Sequence, residues 1–466
     1  MWYTRLRYML RLCKSGGDPA GRPRFGCGLP RCRMSEGTAL SELAERDARH
    51  NILALGVDYV TFGTGMAFLG PTTILPALIR LLGGSPVVVG SLGTIQSGSW
   101  LLPQLFAGRY VANRPFVKKL VVAPAVISRS LLWLLVPVLW YTAPRAPSIA
   151  IAAILLAYAG FGIFDSLGSV GWFELVVKGL PAARRGRLLG VMQSLSSLMA
   201  IGAGAVVGVV LARPGPAWSN HLLLVLVAAA FFCIGPGFIA SIREPRGAVQ
   251  GSPHAGWAHY LPRLASIVRS DRRFVWLLAV RMASGLADMA TAFYILFAVE
   301  RLHVPEEMIG LFVSAGVAGG LLSGALLGPL GDRKGSAQVV VVIMVLRCLA
   351  PSLALAAPLV AAGVPQLALG ALVLVFVASG MANSAYMVGF TNYLMEIAPP
   401  GEGATYIALS NTLCGLLTVA PLFAGWLVQV ASYELVFGLT LGVAALGLAV
   451  ALRRPMPVAV PARAAQ

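Results

Sequence analysis

Charged residues are scarce in this sequence. They make up 12% of its 466 residues, and only 18 residues are acidic. A soluble domain has about 25% charged residues, because its surface must be hydrated. The scarcity therefore excludes a water-soluble fold. Uncharged stretches longer than the roughly 20 residues that cross a bilayer core recur along the chain, so we expect a multi-pass membrane protein.

Residues that hold metals, nucleotides or redox partners are also few. Of the six cysteines, three lie in the N-terminal tail and three inside apolar segments, without metal-like or redox-like spacing. The five histidines form no ligand cluster, and no G-x-x-x-x-G-K-[ST] loop is present. These absences disfavour an enzyme, an ATP-driven pump and a protein that needs a metal or cofactor.

Twelve apolar segments, separated by charged or Pro/Gly-containing breaks, predict an all-α membrane protein with twelve transmembrane helices. We number these helices spans one to twelve. The predicted spans cover residues 51–70, 87–107, 120–142, 148–168, 187–211, 221–242, 274–299, 308–330, 338–360, 366–390, 405–429 and 434–452.

The basic residues are distributed unequally between the two sets of loops. With both termini on one side, that side holds 29 Lys and Arg, the opposite side holds 4, and three lie within spans. Under the positive-inside rule both termini are cytoplasmic, in the plasma (inner) membrane. This bias also accounts for the net charge of +18 without a nucleic-acid partner. The preference for Arg over Lys suggests a GC-rich bacterial genome.

The two halves of the chain resemble each other at a steady offset. Gly90 lies 220 residues before Gly310, whereas Arg129 and Arg347 are 218 apart. The offset predicts a duplicated six-span unit, and hence two parallel repeats with a binding site between them. We therefore divide the chain into a largely disordered tail (1–50), two six-helix bundles (51–243 and 274–455) and a C-terminal tail (456–466). A loop at 244–273, with an amphipathic helix, joins the bundles. Translation could begin at Met1 or at Met34.

Residues 328–335 read G-P-L-G-D-R-K-G, in the short loop between spans eight and nine. This G-x-L-x-D-R-x-G pattern resembles the loop signature of the major facilitator superfamily of secondary transporters. The resemblance covers about residues 51–455. The equivalent loop of the first half, residues 108–114, has Asn113 where the pattern has Asp, and its glycine is displaced by one.

The resemblance implies that spans one, four, seven and ten line a central cavity. Each of these spans carries at least one ionisable or amide side chain, which is costly at membrane depth and therefore marks a candidate site. The candidates for substrate binding or proton coupling are Asp58, Asp165, Arg281, Asp288 and Asn383.

The simplest hypothesis for these residues is a proton-coupled cycle. We expect Asp58, Asp165 or Asp288 to take up a proton, with Arg281 alternating between carboxylate partners. The alternative is a static buried ion pair. Two further intramembrane arginines, Arg129 and Arg347, are expected to bond to backbone carbonyls or reach the interface, with anion binding as the alternative.

The cytoplasmic loops of the two halves carry opposite charges, which predicts a gate. Asp332 of one half is expected to face the arginines that open span five, and Glu396 and Glu402 to face basic residues before span three. Together these contacts would latch the outward-open state; alternatively, the basic residues only set topology. The gate candidates are Asn113, Arg114, Arg184, Arg185, Arg187, Gly328, Asp332, Arg333, Gly335 and Glu402.

Two glycine patterns concern helix packing. Gly316, Gly320, Gly324 and Gly328 recur every fourth residue along span eight and predict a smooth face for close helix contact. The stretch 421–425 in span eleven vaguely resembles a Pro/Gly-containing antiporter motif and predicts a kink.

The whole pattern predicts a monomeric secondary active transporter that moves a small organic solute by alternating access. Proton coupling is expected, with a slight preference for efflux by antiport. The alternative is a non-transporting membrane assembly factor or sensor of the same fold, whose buried charges would be static.

Overall fold

The computed structural model describes residues 32–111, 114–179, 185–244, 266–361, 364–399 and 402–453. In these ranges the regular structure is helical, without strands. The chain divides into two compact units, residues 1–47 and 48–466. The first unit is described as helix from residue 32 onward. The second unit contains the helical bundle.

The first six spans are continuous helices. They are span one, Cys32–Leu69; span two, Pro86–Val111; span three, Lys118–Thr142; span four, Pro147–Gly179; span five, Arg185–Leu211; and span six, Ala217–Ser241. A short helix, Ile74–Leu81, lies between spans one and two.

Three of the last six spans are interrupted. Span seven is Arg272–Ala287 and Thr291–Glu300, joined by the 3-10 turn Asp288–Ala290; span eight is Ile309–Lys334, preceded by the 3-10 turn Glu306–Met308; and span nine is Ser336–Ala361. Span ten is Pro365–Ser384, the π-helical turn Met387–Thr391 and Asn392–Ile397; span eleven is Gly403–Gly415, the 3-10 turn Leu416–Val419 and Ala420–Val430; and span twelve is Tyr433–Leu452. Odd-numbered spans begin on one side of the bundle, which we call the terminal side; the opposite side is the distal side.

The predicted fold class is confirmed, since each of the twelve predicted spans corresponds to a helix. Eleven helices of the described chain are long and apolar enough to cross a membrane. Span two, Pro86–Val111, is not among them, because its sequence is more polar, with Ser91, Thr94, Gln96 and Ser97 in its first half.

Several helices extend beyond the predicted spans. The helix that contains span one begins at Cys32, although the segment apolar enough to cross a membrane begins at Arg46. Residues 32–50 include the helix formers Ala, Leu and Glu, which favour this extension. Span four ends at Gly179 rather than at residue 168. Glu174 and Lys178, one turn apart at 3.5 Å, support this last part of the helix. The helices therefore continue past the apolar stretches that a hydropathy pattern detects.

Two of the four glycines in the pattern along span eight lie at a close helix contact. A Cβ at Gly380 of span ten would overlap the carbonyl oxygen of Gly316, so these two helices touch at backbone distance. Gly320 similarly faces span ten. Gly324 and Gly328 face open space instead. The predicted smooth face thus packs only along its first half.

The loop between the two halves is described only at its ends. The amphipathic helix predicted in 244–273 falls mostly on residues 245–265, outside the described part, as do residues 1–31 of the N-terminal tail and the C-terminal tail. Asp271, at the end of this loop, caps span seven: its Oδ1 accepts hydrogen bonds from the backbone N–H groups of Arg273 and Phe274 at 2.9 and 3.1 Å.

Candidate functional site

A buried ion pair lies in the N-terminal half. Nη1 of Arg129 in span three donates to Oδ1 of Asp165 in span four at 2.5 Å, and their side chains are 6% and 12% exposed. The same nitrogen donates to the hydroxyl of Ser128. Three rings lie with their centroids 5.3 to 5.9 Å from the guanidinium carbon, those of Phe62, Phe161 and Phe232. Aromatic faces attract cations, so this cage holds the arginine inside the half.

Asp58 of span one occupies a different environment. It is 6% exposed, and its Oδ2 accepts a hydrogen bond from Nε1 of Trp172 in span four at 2.8 Å. Its Oδ1 faces span six, where a Cβ at Gly235 would overlap it. The hydrogen-bond partner of this carboxylate in the described part of the chain is therefore a neutral indole rather than a cation.

The C-terminal half has its own arginine–carboxylate pair. Arg347 of span nine donates through Nη1 and Nη2 to the two oxygens of Asp288 in span seven, at 2.5 and 2.9 Å. Nη2 also donates to Oδ1 of Asn383 in span ten at 2.7 Å, and Nε to the hydroxyl of Ser284 at 3.3 Å. The side chain of Asp288 is 42% exposed. This pair is thus more open than the pair in the first half.

The two arginines occupy equivalent places in the repeat. Asp165 and Asn383 both lie 36 residues after the arginine that they contact. In the second half an amide replaces the carboxylate on the fourth helix, and Asp288 of the first helix supplies the negative charge instead. Each half therefore balances the arginine of this position with one carboxylate, taken from a different helix.

Arg281 is directed toward span eleven. Its Nη1 donates to the hydroxyl of Ser410 at 2.5 Å, and its Nη2 to Oδ1 of Asn411 at 2.6 Å. Its guanidinium carbon lies 4.9 Å from the centroid of the Tyr386 ring. The hydrogen bonds of Arg281 in the described chain thus go to neutral side chains. A serine and an asparagine side by side in an apolar span were the sequence signal for these partners.

The arginine–carboxylate pairs in the structure therefore differ from those that the sequence predicted. Arg281 does not meet Asp58 or Asp288 in this conformation, because it points to span eleven instead. The arginines that do contact carboxylates are Arg129 and Arg347. Backbone carbonyls or the interface were the expected partners of these two, but both side chains are buried at a depth where a nearby carboxylate is the better partner.

A cleft of about 160 Å³ opens beside the buried charges of the first half. Residues of spans one, two, three, four and six line it, so it lies within one repeat rather than between the two. The ionisable residues on its wall are Asp58, Arg129 and Asp165. The aromatic residues on its wall are Tyr59, Phe62, Trp100, Trp172 and Phe173.

The two halves meet closely near the distal side. Spans five and eight touch where a Cβ at Gly310 would overlap the carbonyl oxygen of Gly204, and the hydroxyl of Ser314 donates to a carbonyl of span five at 3.0 Å. Spans two and eleven touch equivalently, since a Cβ at Gly90 would overlap the carbonyl of Pro421. The stretch predicted as a kink in span eleven is thus a contact between halves.

An ion pair joins the halves at the same level. Nε of Arg80, after span one, lies 2.6 Å from Oε1 of Glu300, at the end of span seven. The hydroxyl of Tyr433 donates to the other oxygen of Glu300 at 2.6 Å. The two charged residues are 220 positions apart, which is the offset of the repeat. Equivalent positions of two repeats meet only near the axis that relates them, so this pair lies close to that axis.

Substituting Arg80 by Gln should weaken distal closure modestly. The two side chains are 29% and 30% exposed, so screening by water limits the pair to about 1 kcal/mol or less. We therefore expect the population with a closed distal side to fall at most about fivefold, measured as the distance distribution between spin labels on the two halves. The charge-swapped double variant, Arg80→Glu with Glu300→Arg, should recover part of the loss. No recovery would contradict a direct interaction.

The loop motif after span eight has a clear backbone requirement. Gly335 ends span eight with a φ of +83°, a conformation that favours glycine, and its N–H donates to the carbonyl of Gly331 at 2.9 Å. Asp332 and Arg333 are exposed on the terminal side. Glu396, at the end of span ten, accepts a hydrogen bond from the hydroxyl of Ser336 at 2.6 Å.

The terminal-side loop before span three is tied to its own half. Glu244, after span six, accepts hydrogen bonds from the backbone N–H groups of Val117 and Lys118 at 2.7 and 2.9 Å, a favourable place for a carboxylate. The ammonium group of Lys118 donates to two carbonyls at the end of span six. Of the predicted gate, Asn113, Arg184 and the side chains of Arg185 and Arg187 lie outside the described part.

Comparisons with known proteins address the fold. A family model described as Major Facilitator Superfamily matches residues 277–466. A mutant form of the nucleoside transporter NupG is 13% identical with a TM-score of 0.66, covering 87% of this chain and 99% of that chain. A bacterial homologue of the iron transporter ferroportin, inward-facing, is 14% identical with a TM-score of 0.60, covering 86% and 98%. Its outward-facing structure is 16% identical with a TM-score of 0.54 and the same coverage. Among curated proteins, no sequence matches this chain.

The loop after span eight indicated a resemblance to the major facilitator superfamily, and these comparisons confirm it. This protein is a multi-pass membrane protein with the fold of the major facilitator superfamily, and residues 277–466 match the sequence model of that family. The family and the similar structures are transporters rather than enzymes, which supports a secondary transporter.

Proposed function

We propose that this protein is a proton-coupled secondary active transporter that moves a small organic solute by alternating access. The observation that carries the proposal is the symmetric contact between the halves at the distal side, through glycines in two equivalent helix pairs. Such a contact can open as a unit when one half rotates against the other about the repeat axis. With both termini in the cytoplasm of a plasma membrane, the described state is closed to the outside.

Proton coupling is the second part of the proposal. Asp58, Asp165 and Asp288 are the candidate carriers, and they differ in their surroundings. Asp165 and Asp288 each face an arginine of the same half, whereas Asp58 is bound to a neutral indole. We therefore propose Asp58 as the principal carrier, because the other two carboxylates are held in direct ion pairs. We propose efflux in exchange for protons as the preferred direction, and a monomer as the working unit.

Distances between spin labels test alternating access without any knowledge of the solute. One label pair, at Arg213 and Arg301, spans the distal side, and a second pair, at Lys119 and Lys334, spans the terminal side; these side chains are exposed. We expect two distances for each pair, one for the open and one for the closed side. Between acidic and alkaline pH, the population of the open distance should rise at one pair and fall at the other. The distances are measured by pulsed electron paramagnetic resonance on the purified protein in lipid.

The same experiment separates the transporter from a non-transporting assembly factor or sensor. A static scaffold predicts one distance for each pair at every pH. For the proton carrier, Asp58→Asn, Asp165→Asn and Asp288→Asn are compared in the labelled background. At least one of them should abolish the pH response, and an unchanged response in all three would exclude these carboxylates as the coupling groups.

A further inference from the structure

We propose that the cleft within the N-terminal half binds a small monovalent organic cation, with Asp58 as its counter-ion and aromatic side chains as its walls. This inference rests on the proposed function and names the class of its substrate. The cleft has a volume of about 160 Å³, and its walls include five aromatic residues. Its place inside one repeat distinguishes it from a cavity between the two halves.

The charge balance of the cleft favours a cation. Arg129 and Asp165 neutralise each other through their direct ion pair, and both side chains are largely buried. Asp58 is then the remaining charge on the wall: its hydrogen-bond donor is the neutral indole of Trp172, and Arg129, which attracts it electrostatically, is already paired with Asp165. An anionic ligand would have to approach this carboxylate in a region of low dielectric constant, which is strongly unfavourable. A cation would supply the missing positive charge.

The aromatic walls suit a cation that lacks strong hydrogen-bond donors. Phe62 already lies against a cation, since the guanidinium carbon of Arg129 is 5.3 Å from its ring centroid. The rings of Tyr59 and Trp172 lie next to each other, with centroids 5.9 Å apart, beside Asp58. Ring faces attract quaternary and alkyl ammonium groups by their quadrupole, most strongly where water is excluded. The wall therefore combines one carboxylate with rings able to cover an alkylated ammonium group.

Size and access limit the ligand further. A cavity of about 150 Å³ accommodates benzene, so the cleft fits a group of similar bulk, such as a trimethylammonium head. Trp100 and Phe173 are 39% and 60% exposed and form the more open part of the wall. A cation that enters there can replace a proton on Asp58. The proton leaves to solvent, so the charge of the cleft is the same before and after the exchange.

Equilibrium binding of choline to the purified, lipid-reconstituted protein tests the proposal. Choline has the trimethylammonium head, and dimethylbutanol is its uncharged carbon isostere. We expect saturable binding of radiolabelled choline that dimethylbutanol does not displace. Asp58→Asn keeps the size of the side chain and should weaken choline binding at least tenfold. The matched control is Glu434→Gln, which removes an exposed carboxylate at the start of span twelve and should leave binding unchanged.

The comparison of the two probes on the unaltered protein does not depend on any variant folding correctly. Equal binding of choline and dimethylbutanol, absence of choline binding, or full choline affinity in a monodisperse Asp58→Asn protein would each overturn the proposal. Spin-label distances that alternate without choline binding would reject this substrate class and keep the transporter. Choline binding to a protein with a single, fixed distance would reject the transporter and keep the site.

Discussion

Replacing Gly310 by Val should hold the distal side open. A Cβ at this position overlaps the carbonyl oxygen of Gly204, and backbone cannot move aside as a flexible side chain can. Overpacking of this kind costs about 1 to 3 kcal/mol in the state that contains the contact. The closed-distal population should therefore fall by about five- to 150-fold, measured by the label pair at Arg213 and Arg301.

The same helix offers the matched control for this substitution. Gly324 lies on span eight as well, and a Cβ there meets open space. Gly324→Val changes helix propensity and volume in the same way, but it should leave the label distances as they are. If both variants shifted the populations equally, the close contact between spans five and eight would not be what stabilises the closed distal side.

Replacing Arg129 by Met should be the most destabilising change among the buried charges. It leaves Asp165, whose side chain is 12% exposed, without the cation that balances its charge. Removing one partner of a buried pair typically costs about 3 to 5 kcal/mol. We expect a clear fall in the midpoint of thermal unfolding of the purified protein, measured by intrinsic fluorescence.

Two further variants test whether the uncompensated charge causes this loss of stability. Arg347→Met also removes the partner of a carboxylate, but Asp288 is 42% exposed and thus less enclosed by the protein, so the loss of stability should be smaller. The double variant Arg129→Met with Asp165→Leu removes both charges and should recover much of the midpoint. A double variant as unstable as the single one would mean that the aromatic cage, and not the uncompensated charge, determines the effect.

The sequence was sufficient for the elements of the fold. Apolar runs longer than a bilayer core marked twelve helices, and the offset of 218 to 220 residues marked the repeat. The same offset reappears as structure: Arg129 and Arg347 each contact the residue 36 positions later. These features can be predicted from the sequence because bilayer thickness determines the length of the apolar segments. Duplication likewise determines the spacing between equivalent residues.

The sequence identified the candidate residues of the site, but it did not identify the side chains that they contact. Intramembrane charge is conspicuous in a sequence because it is costly, so Asp58, Arg281 and Asp288 could be singled out without a structure. Their pairing depends on how each helix is rotated about its axis and on local interruptions, such as the 3-10 turn that begins at Asp288. Trp172, the partner of Asp58, could not be distinguished from the other aromatic residues of an apolar span.

From the sequence alone came the membrane class, the number of helices, the repeat and the identity of the buried charged residues. These depend on composition and spacing, which the linear chain contains in full. Only the tertiary structure decided that the glycines of spans five and eight meet at backbone distance, and that Arg80 contacts Glu300 across the repeat axis. It also placed the aromatic cleft inside the first half. Contacts between helices depend on rotation and depth to within a few ångströms, and these arise from the packing of the whole bundle.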